Sequence, residues 1–204
     1  MKASLAYARM AAAGPEVVRT NEVASVFGLS NAAASQLLRR LAADGLVRPV
    51  RHGLFWVKQA PIDPWVALLW IAGPYPAYAS LYSALYLHGV LSQIPDQHFA
   101  VTVGRTQHVQ TTVGTFSLHR LAPDVFGGCE TLASGAKIAT IEKALFDLAY
   151  LASTRSRLFA RPPELELPRR LNRAELHRWL ERIADPRRQL RVQAQLATLG
   201  IRLR

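Results

Sequence analysis

The residues best suited to chemistry in this chain lie between Asn31 and His52. Asn31, Ala32, Ser35, Gln36, Arg39 and Arg40 fall opposite Ala34, Leu37, Leu38 and Leu41, which recur at i, i+3, i+4 and i+7. A helix that buries the four apolar residues must present the other six to solvent. Amide and guanidinium groups on such a face match the donor and acceptor pattern of base edges and hold phosphates, and small residues at its start let the backbone enter a major groove. A few residues on, Arg48, Arg51 and His52 flank Gly53 in a stretch that reads as a hairpin, which would set cations beside a phosphate backbone or a minor groove. The chemistry on offer is recognition of duplex DNA.

Bond-making chemistry has no comparable set. The carboxylates Asp96, Asp124, Glu130, Glu142 and Asp147 show no paired metal-ligand spacing. Glu142 and Asp147 stand five apart on one predicted helix and point to different faces, which suits a salt bridge and a helix-start charge. The six histidines are scattered, with none in an HExxH arrangement. Gly127-Gly128 lacks the lysine and the strand–loop–helix setting of a phosphate loop. Cys129 is the one cysteine, so neither a disulfide framework nor a cysteine-rich zinc site is expected. The sequence predicts a non-enzyme without metal or cofactor.

The elements that must position the basic set are legible. Val23, Ala24 and Phe27 make an apolar stripe on a short helix, with Thr20 or Asn21 as its cap and Glu22 in its first turn. Gly28 supplies a left-handed turn, Leu29 plugs the angle, and Ser30 caps the helix carrying Asn31 to Arg40. Leu46–Val50 and Leu54–Lys58 read as two strands, with Pro49 fitting an edge. The pattern is that of a winged helix-turn-helix over residues 1–60.

Charge follows the same division. Residues 1–60 carry 8 basic against 3 acidic residues, residues 61–154 carry 4 against 6, and residues 155–204 carry 13 against 5. A near-neutral middle between basic ends suggests polyanion contact by the ends and a packed core between them. The start shows no signal peptide, which makes the cytoplasm the expected location. From Pro64 to Pro95 no Asp, Glu, Lys or Arg occurs, but Gly73-Pro74 and Pro76 cut the run short of the roughly 20 apolar residues of a membrane span. Two buried helices are expected there instead, one opened by Asp63-Pro64 and one over about Tyr78–His88, ended by Gly89.

Beyond them, His98–Val103, Thr111–Leu121 and Thr131–Ala139 read as strands, with Val113, Phe116 and Leu118 as the apolar positions of the second. Ala122–Glu130 reads as a loop, Ile141–Leu151 as a helix, and 155–171 as an Arg- and Pro-rich loop. Asn172 with Glu175 opens an amphipathic helix through Leu176, Trp179, Leu180 and Ile183; Asp185-Pro186 opens a last one. The fold class expected is α+β: an N-terminal winged helix-turn-helix, then a mixed α/β domain over 61–204 with a basic helical tail from about 155.

In this order the middle of the chain resembles the AbiEi family, the antitoxin and autorepressor half of AbiE-type abortive-infection systems. The resemblance rests on Ser83, Ala84, Leu85, His88 and Gly89, then on Ala139, Thr140, Glu142, Lys143, Ala144, Leu145 and Asp147, and spans roughly residues 15–155. It implies a first domain that binds inverted repeats in its own promoter and a second that counters a nucleotidyltransferase-like toxin, without a stable complex being required. Glu142, Lys143 and Asp147, with Arg187, Arg188 and Arg191 in the last helix, are the charged groups expected to meet a partner or a shared substrate. Two other readings stand beside it. One is a stand-alone regulator whose Trp65, Trp70, Tyr75, Tyr78, Tyr82 and Tyr86 line an effector pocket; the other is a subunit that docks proteins through its winged helix.

Overall fold

The computed structural model describes residues 3–12, 16–57, 61–154, 159 and 162–203. These residues form an α+β structure divided into two compact units, Met1–Asp63 with Gln110–Gly114, and Pro64–Val109 with Thr115–Arg204.

The first unit begins with a helix and a strand that periodicity alone does not reveal, α1 (Ala3–Ala12) and β1 (Val17–Arg19). Ala6 and Met10, one turn apart on α1, bury themselves among the leucines of the later helix. Then come α2 (Thr20–Phe27), α3 (Asn31–Ala43), β2 (Arg48–Arg51) and β3 (Leu54–Trp56). The cap of α2 is Arg19, not Thr20 or Asn21. The Glu22 carboxylate accepts the Arg19 backbone N–H at 2.8 Å, so the helix start is satisfied without a capping side chain from Thr20 or Asn21. Gly28 closes α2 in the left-handed region (φ 62°), and Ser30 Oγ accepts the Ala33 N–H to start α3. Ala34, Leu37, Leu38 and Leu41 are all buried, as their spacing requires. The sheet order β1-β3-β2 makes β3 central, with Leu54, Phe55 and Trp56 all buried, and leaves Pro49 on an edge strand where its missing N–H costs no ladder bond. Lys58, expected at the end of this hairpin, lies outside the described residues.

The second unit is built on a six-stranded sheet, order β6-β7-β5-β4-β9-β8. Its strands are β4 (Ala77–Ala79), β5 (His98–Thr102), β6 (Gln107–Thr111), β7 (Gly114–Arg120), β8 (Cys129–Thr131) and β9 (Lys137–Ala139). Two helices were expected between Pro64 and Gly89, and two are present: α4 (Pro64–Ala72) and α5 (Leu81–Leu87). The second starts late, because Tyr78 belongs to β4, which pairs antiparallel with β5 and parallel with β9. A strand buried on both faces reads as a continuous apolar run, which periodicity cannot separate from a buried helix. The segment read as a strand from Thr111 is the second half of a pair: β6 precedes it and Val113 falls in the turn. The stretch expected as one strand over Thr131–Ala139 folds into β8 and β9 about Gly135, and the expected loop before it holds a single 3-10 turn, Pro123–Val125, and the start of β8.

Among the described residues, three further helices belong to the unit: α6 (Ile141–Ala152), α7 (Arg173–Glu181) and α8 (Pro186–Thr198). Side-chain oxygens of Thr140, Asn172 and Asp185 accept the first free N–H groups of each. Both α7 and α8 pack against α6, and Leu176, Leu180, Val192 and Leu196 enter the same core as Leu145 and Leu148. The C-terminal helices are therefore structural members of this unit. No helix among the described residues is long and apolar enough to cross a membrane.

Candidate nucleic-acid interface

A cleft of about 800 Å³ opens in the first unit between α3 and the β2–β3 hairpin. One wall is the outer face of α3, with Asn31, Ala32, Ser35 and Arg39. The other is the hairpin turn, with Arg51, His52 and Gly53, and the start of α2 adds Arg19, Thr20 and Asn21. A backbone hydrogen bond from Thr20 N–H to the Gly53 carbonyl (3.0 Å) ties the start of α2 to the turn. Gly53 sits at φ 73°, a conformation that side chains resist, so the turn needs glycine there.

The lining contains three arginines, one histidine, two asparagines, a serine and a threonine, and no carboxylate. Burial, reinforced by the positive charge of Arg19, holds the Arg51 guanidinium below its ordinary range. Two cations crowded into one cleft repel each other, and a bound anion relieves that repulsion. Amide and hydroxyl groups of Asn31 and Ser35 are well placed for hydrogen bonding to whatever the cations attract.

Of the nine residues that sequence assigned to this face, six line the cleft: Asn31, Ala32, Ser35, Arg39, Arg51 and His52. Gln36 and Arg40 are exposed on α3 and Arg48 is half-buried in β2, but none of the three is part of the lining. Arg19, Thr20 and Asn21 were missed as contributors. Their signal is the Val-Val-Arg strand running straight into the helix, where position alone marks Thr20 and Asn21 only as caps.

The second group of charged residues does not form a surface. Lys143 and Asp147 are both fully buried, which corrects their assignment to a partner-facing patch. They stand at i and i+4 on the inward side of α6, and the Lys143 ammonium donates to the Asp147 carboxylate. That carboxylate also accepts from Ser80 Oγ at 2.8 Å and from the Tyr78 hydroxyl at 3.2 Å. Lys143 Nζ lies 4.6 Å from the centre of the Trp179 ring and 4.9 Å from that of Phe146. Burial pushes the Asp147 carboxyl up and the Lys143 ammonium down, while their attraction opposes both shifts. Glu142 is structural as well, its Oε1 accepting the Asn172 N–H at 2.7 Å and so holding the start of α7.

The three arginines of the last helix also divide. The Arg188 guanidinium rests 3.8 Å from the centre of the Tyr150 ring, Arg191 reaches Asp185 at 3.9 Å, and Arg187 is exposed. Among the described residues no three His, Cys, Asp or Glu side chains come together as a metal-ligand group. No protein-family model matches the chain, and no curated protein matches it.

Proposed function

We propose that this chain is a double-stranded-DNA-binding repressor in which α2, α3 and the β2–β3 hairpin act as a winged helix-turn-helix. The observation that carries the reading is the cationic, carboxylate-free cleft between the amide-bearing face of α3 and the hairpin turn. In this arrangement α3 enters a major groove, Asn31 and Ser35 meet base edges, and Arg19, Arg39, Arg51 and His52 hold the flanking phosphates. The protein acts by occupying DNA and carries out no bond chemistry in this role.

The resemblance of the second unit to AbiEi antitoxins extends the proposal. The DNA is then the protein's own promoter, read as inverted repeats, and the second unit counters a nucleotidyltransferase-like toxin encoded beside it. The burial of Lys143 and Asp147 means that this antitoxicity uses other residues of the unit.

A mobility shift of the full chain on its own upstream region tests the DNA reading. Asn31→Ala with Ser35→Ala should cost about 1–3 kcal/mol on the operator and little on unrelated duplex. Arg51→Ala should weaken both alike and reduce the slope of log affinity against log salt by about 0.9. Equal binding to operator and unrelated DNA by the parent protein would remove the repressor reading. Co-expression with the neighbouring gene tests the antitoxin reading: a cleft variant that has lost repression should still rescue growth, and a harmless neighbour would end that part of the proposal.

A further inference from the structure

The second unit carries a cationic surface of its own. Two adjoining clefts, of about 550 and 350 Å³, share Arg173 as a common wall. The first is otherwise lined by Ala174, His177, Arg202 and Leu203, and the second by Arg169, Arg170 and other residues of the 167–171 and 200–201 segments. Neither lining contains an aspartate or a glutamate. Among the described residues, Arg169, Arg170, Arg173 and Arg202 have no carboxylate partner.

All four arginines are exposed, beside residues that are buried or half-buried. Arg202 stands between Ile201 and Leu203, exposed at only 2% and 9%, and the Leu203 carbonyl accepts from the Gln193 side chain. Arg169 and Arg170 lie between Leu167 and Leu171, which pack on the core. Arg173 and His177 are one turn apart on α7, and both are exposed. Glu175 accepts from Thr140 Oγ1 and Glu142 from the Asn172 backbone, while Glu164 and Glu166, closer in sequence to Arg169, line neither cleft. Four unpaired guanidinium groups on a rigid frame repel one another and match the fork geometry of phosphate oxygens.

We propose that Arg169, Arg170, Arg173 and Arg202 form a second nucleic-acid site, one that grips the phosphodiester backbone of a duplex. Two clefts joined through one arginine offer more than a single phosphate requires, so the ligand is a run of phosphates. The lining has no Phe, Tyr or Trp on which an unpaired base could stack, which favours a duplex over a single strand. The site reads no sequence. It is independent of the α3 cleft and of the repressor reading.

The test uses the full chain with the α3 cleft disabled by Asn31→Ala, Arg39→Ala and Arg51→Ala. Fluorescence anisotropy measures its binding to a 20-bp RNA duplex, a 20-bp DNA duplex of unrelated sequence and the matching single strands, over a salt series. Salt-dependent binding should survive in this background and be tighter for duplexes than for single strands. Arg170→Gln, Arg173→Gln and Arg202→Gln together should then weaken duplex binding at least tenfold and reduce the salt slope by two to three phosphate contacts, each worth about 0.9 on B-DNA. A charge-matched control, Arg105→Gln, Arg120→Gln and Lys137→Gln, removes three exposed cations elsewhere in the same unit and should leave both quantities near the parent's. An equal loss in the control means bulk charge and overturns the site, as does parental binding by the first triple variant. The tighter of the two duplexes identifies the natural ligand class, RNA or DNA.

Discussion

His119 sits in β7 at 7% exposure, with Nε2 2.9 Å from Ser117 Oγ and its ring edge-on to Phe159. Burial, aided by the nearby His108, pushes its imidazole down to about 4 from an ordinary 6.5. The folded protein therefore refuses a proton that the unfolded chain accepts. Its contribution to stability is complete above pH 6.5 and is lost as pH falls from there to about 4, amounting to about 3 kcal/mol. Urea denaturation at pH 7 and pH 4.5 should show this loss in the parent. His119→Gln can keep a polar contact to Ser117 but cannot titrate, and should lose markedly less stability over the same interval. Parallel losses in the two proteins would place the acid sensitivity elsewhere.

At the scale of elements, the same strip of structure shows what sequence reveals and what it hides. Helix α3 was legible because one face is apolar and the other polar, and α7 and α8 because Asn172 and Asp185 announce their starts. Strand β4 was hidden because Ala77, Tyr78 and Ala79 are buried on both sides and show no alternation. The Lys143–Asp147 pair was read as surface because the rule that charges face water fails where two of them satisfy each other and two hydroxyls complete the carboxylate's shell. The candidate DNA face was legible on α3 and at the hairpin, and hidden where Arg19 joins it, since that juxtaposition depends on how β1 pairs with β3. The loop around Gly128 is a further hidden constraint. A Cβ there would lie 2.5 Å from the Trp179 ring and 3.0 Å from the Lys143 side chain, at φ 71°. At Gly89 the backbone is similar, φ 69°, with nothing within 4 Å. Chemical denaturation should therefore show Gly128→Ala costing about 1–3 kcal/mol more than Gly89→Ala, the excess being the overlap with a packed indole. Equal costs would mean that Trp179 moves aside.

For the whole molecule, the strongly basic C-terminal quarter is not an appendage. Leu176, Leu180, Val192 and Leu196 are each exposed by 2% or less, in the core built on α6. A chain ending at residue 154 should lose the cooperative unfolding transition of the second unit and expose apolar surface to a dye such as ANS. A truncated chain that melts like the parent would show that α7 and α8 are dispensable. The buried ammonium on α6 also has a consequence for chemical labelling. The protein has only four lysines, Lys2, Lys58, Lys137 and Lys143, and the last is sealed beneath Trp179 and Phe146 while Lys137 is exposed. An amine-reactive ester should modify Lys137 at the rate of a free amine and Lys143 more slowly, in proportion to the fraction of time that the second unit is open. Peptide mass spectrometry of those two positions turns the chain into its own clock. The ratio of the two adducts records, inside a living cell as well as in a cuvette, how often this protein comes apart.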